Sequence, residues 1–153
     1  MMKNELKVKA IEQGTVIDHI DAKKLFKVLF IIDVENIETH VFIGNNLDSK
    51  KYGAKGIIKI ANKFPSIEDI NKIALIDPNA VINIIKDYKV AEKKKVELPK
   101  TVSKFIKCIN PKCVTNNENV QTKFTVSNSN NKINLKCHYC EKVTGQDNIQ
   151  IIS

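Results

Sequence analysis

Cys108, Cys113, Cys137 and Cys140 stand in the spacing C-x4-C-x23-C-x2-C. Two close pairs separated by a hairpin-sized insert can bring four thiolates to the corners of one tetrahedron, which is how a structural zinc site closes. Strand-like residues 123–126 and 132–135 flank the turn-rich stretch 127–131, so a β-hairpin can carry the chain from the first pair to the second. A redox role for Cys137 and Cys140 would place the motif after a strand and at a helix start, a pattern that does not surround it. A catalytic zinc would usually keep an open position and mix in His or carboxylate ligands, so His138 is read as an exposed neighbour. The expected zinc folds its domain and performs no reaction.

Chemistry elsewhere in the chain is sparser. Asp18 and His19 are adjacent and could act as acid and base, yet no nucleophile accompanies them, and a strand-end histidine bonded locally accounts for the pair equally well. P-loop, G-x-G-x-x-G and G-x-S-x-G signatures are missing. Lys55, Lys59 and Lys93 fall on or beside neighbouring strand segments and could converge on a polyphosphate as point charges; a solvated lysine face is the plainer alternative.

The elements that must position these groups divide at Leu98-Pro99. Residues 1–97 alternate strand-like and helix-like patterns without a cysteine, whereas residues 98–153 hold all four cysteines and strand-like runs only. A unit of about 55 residues often needs a metal to supplement its core. In the first domain residues 6–11 alternate as a half-buried strand and residues 15–20 form a second one, with Asp21 placed to cap a helix. Ala22, Leu25, Phe26 and Leu29 give that helix an apolar stripe. Residues 39–43 read as a strand, 45–55 as a polar surface loop and 57–61 as another strand. Ser66 followed by Asp69 caps a second helix, with Ile67, Ile70, Ile73 and Ala74 as its buried face and Asp77-Pro78 as its stop. Residues 81–85 and 88–96 then form strands around a Lys86-Asp87 turn. The order fits the split βαβ, ferredoxin-like plan, so the fold class is α+β: a ferredoxin-like domain followed by a small all-β zinc domain.

Composition narrows the function classes. The 153-residue chain carries a net charge of +8, and all 25 of its basic side chains are lysine. Without arginine the planar fork that reads guanine edges is lost, so the charge is weak support for nucleic-acid binding. No apolar run approaches a membrane span and the N-terminus lacks the apolar segment of a signal peptide, so the expected compartment is the cytoplasm, where thiols stay reduced.

The motifs taken together resemble one family, the regulatory chain of aspartate carbamoyltransferase. The resemblance lies in L-x-V-x-A-I at residues 6–11, GTVIDHI at 14–20, IKI at 58–60, VINII at 81–85, the cysteine spacing, and KCHYCEK at 136–142. It implies a noncatalytic allosteric subunit whose residues 1–97 bind ATP or CTP and pair with a second regulatory chain. Residues 98–153 would bind one Zn2+ and dock on a catalytic chain through Asn110 and Glu141, within a hetero-oligomer of catalytic trimers and regulatory dimers. The nucleotide site carried over comprises Ile11, Val16, Asp18, His19, Lys55, Lys59, Asn83, Ile85, Tyr88, Val90 and Lys93. By that resemblance Lys93 meets phosphates and ribose, Asp18 and Lys59 hold the ribose side, and the backbone at Ile11 and Tyr88 reads the exocyclic amine of the base. A reading from a different class is a zinc-ribbon nucleic-acid-binding protein, prompted by the basic second domain with Phe105, Phe124 and Tyr139. It would require a basic aromatic face and strongly salt-dependent binding.

Overall fold

The branched run that begins at Gly14 forms a strand, β1 (Gly14–Asp21), followed by α1 (Leu25–Ile31), β2 (Val41–Ser49), β3 (Gly53–Ala61), α2 (Ile67–Ile76), β4 (Val81–Lys86) and β5 (Lys89–Lys95). The computed structural model describes residues 10–50, 53–130 and 132–152. These seven elements make the first of two compact units, which meet in sequence at Glu97 and Leu98. Its sheet is ordered β2-β3-β1-β4-β5 with antiparallel pairing throughout, the split βαβ plan with one strand added at the β4 edge. The apolar alternation of β1, β3 and β4 sends Ile17, Ile20, Ile58 and Ile82 to one face, where they are buried with Leu25 and Val28 of α1 and Ile73 and Leu75 of α2. The opposite face of the same strands carries the charged candidates, so the helices leave it open for a ligand.

Ser66 caps α2 as its sequence suggests, its side chain accepting from the Asp69 N–H at 3.1 Å, and Asp77 ends the helix. Gly14 opens β1 at φ +140°, where a Cβ would lie 2.0 Å from the Ile60 carbonyl oxygen and 2.9 Å from the Asn62 nitrogen. Gly14→Ala is therefore expected to destabilise the first unit by about 1 to 3 kcal/mol, as overpacking against backbone does. Denaturant titration of the variant would detect the loss, and an unchanged midpoint would contradict it.

Several local expectations are corrected. Asp21 does not cap α1: Lys24 is the cap residue, and the Asp21 carboxylate instead accepts from Lys23 N–H in the turn before the helix. Phe26 is 75% exposed and Ala22 only partly buried, so the helix buries Leu25, Val28, Leu29 and Ile31. Ile67 likewise faces solvent, and the buried positions of α2 are Ile73 to Ile76. Within the stretch expected as a loop, residues 45–49 end β2 and residues 53–55 open β3, with Leu47 to Ser49 paired to Lys55 to Gly53, because strand pairing satisfies the backbone whatever the side chains are; residues 51 and 52 lie outside the described residues. The second turn is Asp87-Tyr88 rather than Lys86-Asp87, with both residues at positive φ (52° and 64°), the geometry of a two-residue type I′ hairpin. Most of the strand expected at residues 6–11 lies outside the described residues; Ala10 and Ile11 are not in a strand.

The second unit is a four-stranded antiparallel meander of β6 (Thr101–Ser103), β7 (Lys123–Ser129), β8 (Lys132–Cys137) and β9 (Val143–Gly145), interrupted by a four-residue helix, α3 (Val114–Asn117). The expected hairpin is present, and its strands run further than the sequence pattern suggests, to the pair Ser129 and Lys132. Val102, Ile106, Phe124, Ile133, Leu135 and Ile149 form its small core. Among the described residues no helix is long and apolar enough to cross a membrane.

Candidate functional site

Pairing register aligns Lys59 of β3 with Val16 of β1, Val16 with Asn83 of β4, and Asn83 with Lys93 of β5. Because side chains directly opposite each other share a sheet face, these residues form one row across the open side. Toward one end of the strands Ile11, Val16 and Ile85 make a buried apolar cluster, with Phe42, Ile57 and Ala61 packed against it. Val90 pairs with Ile85 at the same end and is exposed. Toward the other end lies a cavity of about 590 Å³ bordered by His19, Lys55, Lys93 and Lys95. One surface thus passes from apolar to cationic along the strand direction.

A β-bulge explains how Asp18 and His19 reach that surface together. Ile17 pairs with Ile58 and Ile20 with Gly56, so two residues of β1 oppose the single Ile57 of β3. His19 adopts φ 58°, its N–H donates to Asp18 Oδ1 at 2.6 Å, and regular alternation is suspended for one step. Asp18 Oδ1 also meets Lys55 Nζ at 2.9 Å in a mostly buried ion pair. Burial pushes the Lys59 amine below its ordinary range, partly opposed by the Asp18 carboxylate.

The main chain closes the apolar end. The Tyr88 N–H donates to the Glu12 carbonyl at 3.0 Å, and the Asn62 N–H to the Gln13 carbonyl at 2.9 Å. The β4–β5 turn is thereby held beside the segment after Ile11. Tyr88 itself sits exposed at positive φ, an uncommon conformation for a bulky residue that persists where neighbours fix it. The carried-over residues therefore occupy one face and its rim. Asp48, Ser49, Lys50, Asn79 and Lys95 also border the cavity and are absent from the sequence-based set. Lys95 was accessible from period-two alternation after Lys93, whereas Asp48 to Lys50 were hidden by reading their strand as a loop.

In the second unit the sulfurs of Cys108, Cys113, Cys137 and Cys140 all lie within 4.8 Å of one another. Cys108 Sγ is 3.6 Å from Cys140 Sγ, and Cys113 Sγ is 3.7 Å from Cys137 Sγ. Four thiolates around an ion with metal–sulfur bonds of about 2.3 Å would be about 3.8 Å apart, close to the two measured pairs, so the donor set suits a tetrahedral metal. Burial pushes the Cys108 thiol up to about 12. Burial acts the same way at Cys140, but hydrogen bonds from the Lys142 backbone, the Asn110 side chain and the neighbouring cysteines outweigh it and bring that thiol to about 7. His138 is exposed and outside the sulfur cluster.

The loops that hold the sulfurs are themselves clamped. Asn116 Nδ2 donates to the Cys108 carbonyl at 3.0 Å and the Asn110 carbonyl at 2.7 Å. Asn117 Nδ2 reaches the Pro111 and Cys113 carbonyls at 2.9 Å each, and the Thr115 hydroxyl lies 3.2 Å from Cys113 Sγ. These three polar residues of α3 are further parts of the centre, marked in sequence only by their position just after Cys113. Asn110 is half-buried beside the first knuckle, while Glu141 is exposed beside the second at φ 64°.

Comparison with known proteins covers both units. Residues 6–97 match the family described as aspartate carbamoyltransferase regulatory chain, allosteric domain, and residues 100–150 match its metal binding domain. A Bacteroides fragilis protein named aspartate carbamoyltransferase regulatory chain is 50% identical over 150 residues, covering 98% of this chain and 97% of its own. Proteins of the same name from Pyrococcus horikoshii and Porphyromonas gingivalis are 48% and 45% identical, covering 95% and 99% of this chain and 96% and 100% of their own. The nucleic-acid reading is not favoured by this agreement. With the expected α+β fold and a four-cysteine centre in the matched metal-binding segment, the chain belongs to the family of noncatalytic aspartate carbamoyltransferase regulatory chains.

Proposed function

We propose that this chain binds one ATP- or CTP-type nucleotide on the open sheet face of its first unit and controls an attached aspartate carbamoyltransferase catalytic chain. The carrying observation is the row of Lys59, Val16, Asn83 and Lys93, which joins an apolar cluster containing Val16 to a cationic cavity bordered by Lys93. A nucleotide has the matching polarity, an aromatic base at one end and phosphates at the other. In this reading Lys93 takes the phosphates with His19 and Lys55 nearby, Asp18 and Lys59 hold the ribose, and Asn83 lies between the two groups. The base rests by Ile11, Val16, Ile85 and Val90, and backbone carbonyls at Ile11 and Tyr88 accept from its exocyclic amine. Both adenine and cytosine offer that amine, which lets two ring sizes share one site.

Zn2+ is the metal best matched to a closed set of four thiolates, and when bound it supplies a cross-link rather than a reaction. The fixed knuckles then present Asn110 and Glu141 to the catalytic chain. Regulatory chains pair as dimers that join catalytic trimers in a cytoplasmic hetero-oligomer. Effectors act through differential affinity for the two states of that assembly, a coupling of about 1 to 3 kcal/mol.

Coexpression with a catalytic chain followed by affinity purification and activity titration tests the reading. The expected result is a stable complex whose aspartate dependence shifts saturably with ATP or CTP. Failure to copurify, or activity indifferent to both nucleotides, would overturn it.

A further inference from the structure

The carboxylate of Asp77 is 1% exposed and belongs to none of the groups assigned above. Its two oxygens reach different parts of the first unit. Oδ2 accepts from the Asp21 N–H at 2.8 Å, and Oδ1 accepts from the Asn79 N–H at 3.1 Å. Its main chain is also fixed, the N–H donating to the Ile73 carbonyl at 2.8 Å and the carbonyl accepting from Ala80 N–H at 3.2 Å.

These partners lie in two neighbouring segments at the edge of the cationic cavity. Asp21 follows the bulge that displays His19, and Asn79 and Ala80, which also border the cavity, lead into β4, whose Val81 pairs with Asp18. A buried carboxylate that bonds two backbone N–H groups is a strong, directional link, since each bond is charge-assisted. We infer that Asp77 is a positioning residue that holds the His19 strand end and the Asn79-Ala80 turn together at the cavity's edge and thereby sets its fit to a triphosphate. The inference rests on the proposed nucleotide site and adds to it the group that fixes the phosphate end. The apolar end is built around Ile11, Val16 and Ile85, farther along the strands, so the base contacts do not depend on this link.

Calorimetric titration of the full-length chain with CTP and with CMP, for wild type, Asp77→Asn and Asp77→Ala, provides the test. The isosteric asparagine retains one acceptor but turns an NH2 group toward the second backbone donor. Expected is a loss of about ten-fold in CTP affinity for the alanine variant and a smaller loss for asparagine, with CMP affinity altered by less than about two-fold. Equal losses for CTP and CMP would reduce Asp77 to a structural residue, and unchanged CTP affinity would remove its role. Hydrogen exchange in the wild-type chain gives a readout that needs no variant: CTP should slow exchange of the Asp21 and Asn79 amides more than CMP does, and equal slowing overturns the inference. Wild-type protein that binds neither nucleotide overturns the nucleotide site itself along with this inference, which separates the two failures.

Discussion

Cys137→Ala is expected to unfold the 98–153 unit and to release the proposed catalytic-chain partner, while the proposed nucleotide binding by the first unit should persist. Three remaining sulfurs leave a tetrahedral site open, and the core of Val102, Ile106, Phe124, Ile133, Leu135 and Ile149 is small for a unit of this size. Structural zinc contributes apparent binding free energies of about 10 to 16 kcal/mol near neutral pH in small zinc domains, more than such a core supplies. Metal analysis, circular dichroism and copurification check the result together. Chelation of the wild-type chain should reproduce it, and acidification should weaken metal retention because protons compete for thiolates. A folded second unit without metal, or an assembly that survives its complete removal, would contradict the expectation.

Lys93→Ala and Lys59→Ala are expected to weaken the proposed ATP and CTP binding roughly ten-fold or more, the size expected when a charge-assisted hydrogen bond of about 1.5 to 3 kcal/mol is lost. Lys93 is exposed on β5 beside the cavity, so its loss should be the more sensitive to salt. Lys59 is partly buried with its charge disfavoured by that burial and offset by Asp18, so its effect should be less screened. Metal content should not change in either variant. Calorimetry at two ionic strengths distinguishes the two lysines; unchanged affinity in both would remove the sheet face from consideration.

Much of this arrangement was legible from residue type and spacing. The cysteine pairs specified their own cluster, Ser66 and Asp69 marked the start of α2 through local hydrogen bonding that needs no tertiary partner, and Asp77-Pro78 marked its end because proline cannot continue a helix. The misread segments depend on distant partners. Phe26 continues an apolar helical pattern but faces solvent in the described chain, and residues 47–49 pair with β3 although their side chains suggest a loop. Asp21 has a capping residue's chemistry, yet the chain makes one more turn before α1 begins. The candidate nucleotide face was recognised through resemblance rather than through pattern, because its row is assembled from strands far apart in sequence. The bulge at Asp18 and His19 left no periodic signal, since it is an interruption of periodicity.

That bulge makes the chemistry of the face depend on chain length as well as on residue identity. Removing either Asp18 or His19 would leave one residue of β1 opposite Ile57 and restore ordinary alternation between two buried isoleucines, Ile17 and Ile20. The His19 imidazole could then no longer border the cavity beside the Asp18–Lys55 ion pair, however conservative the surviving side chain. A two-residue insert opposite one acts as a phase marker for the strand: substitutions tune what the face presents, whereas a single insertion or deletion decides which residues belong to it.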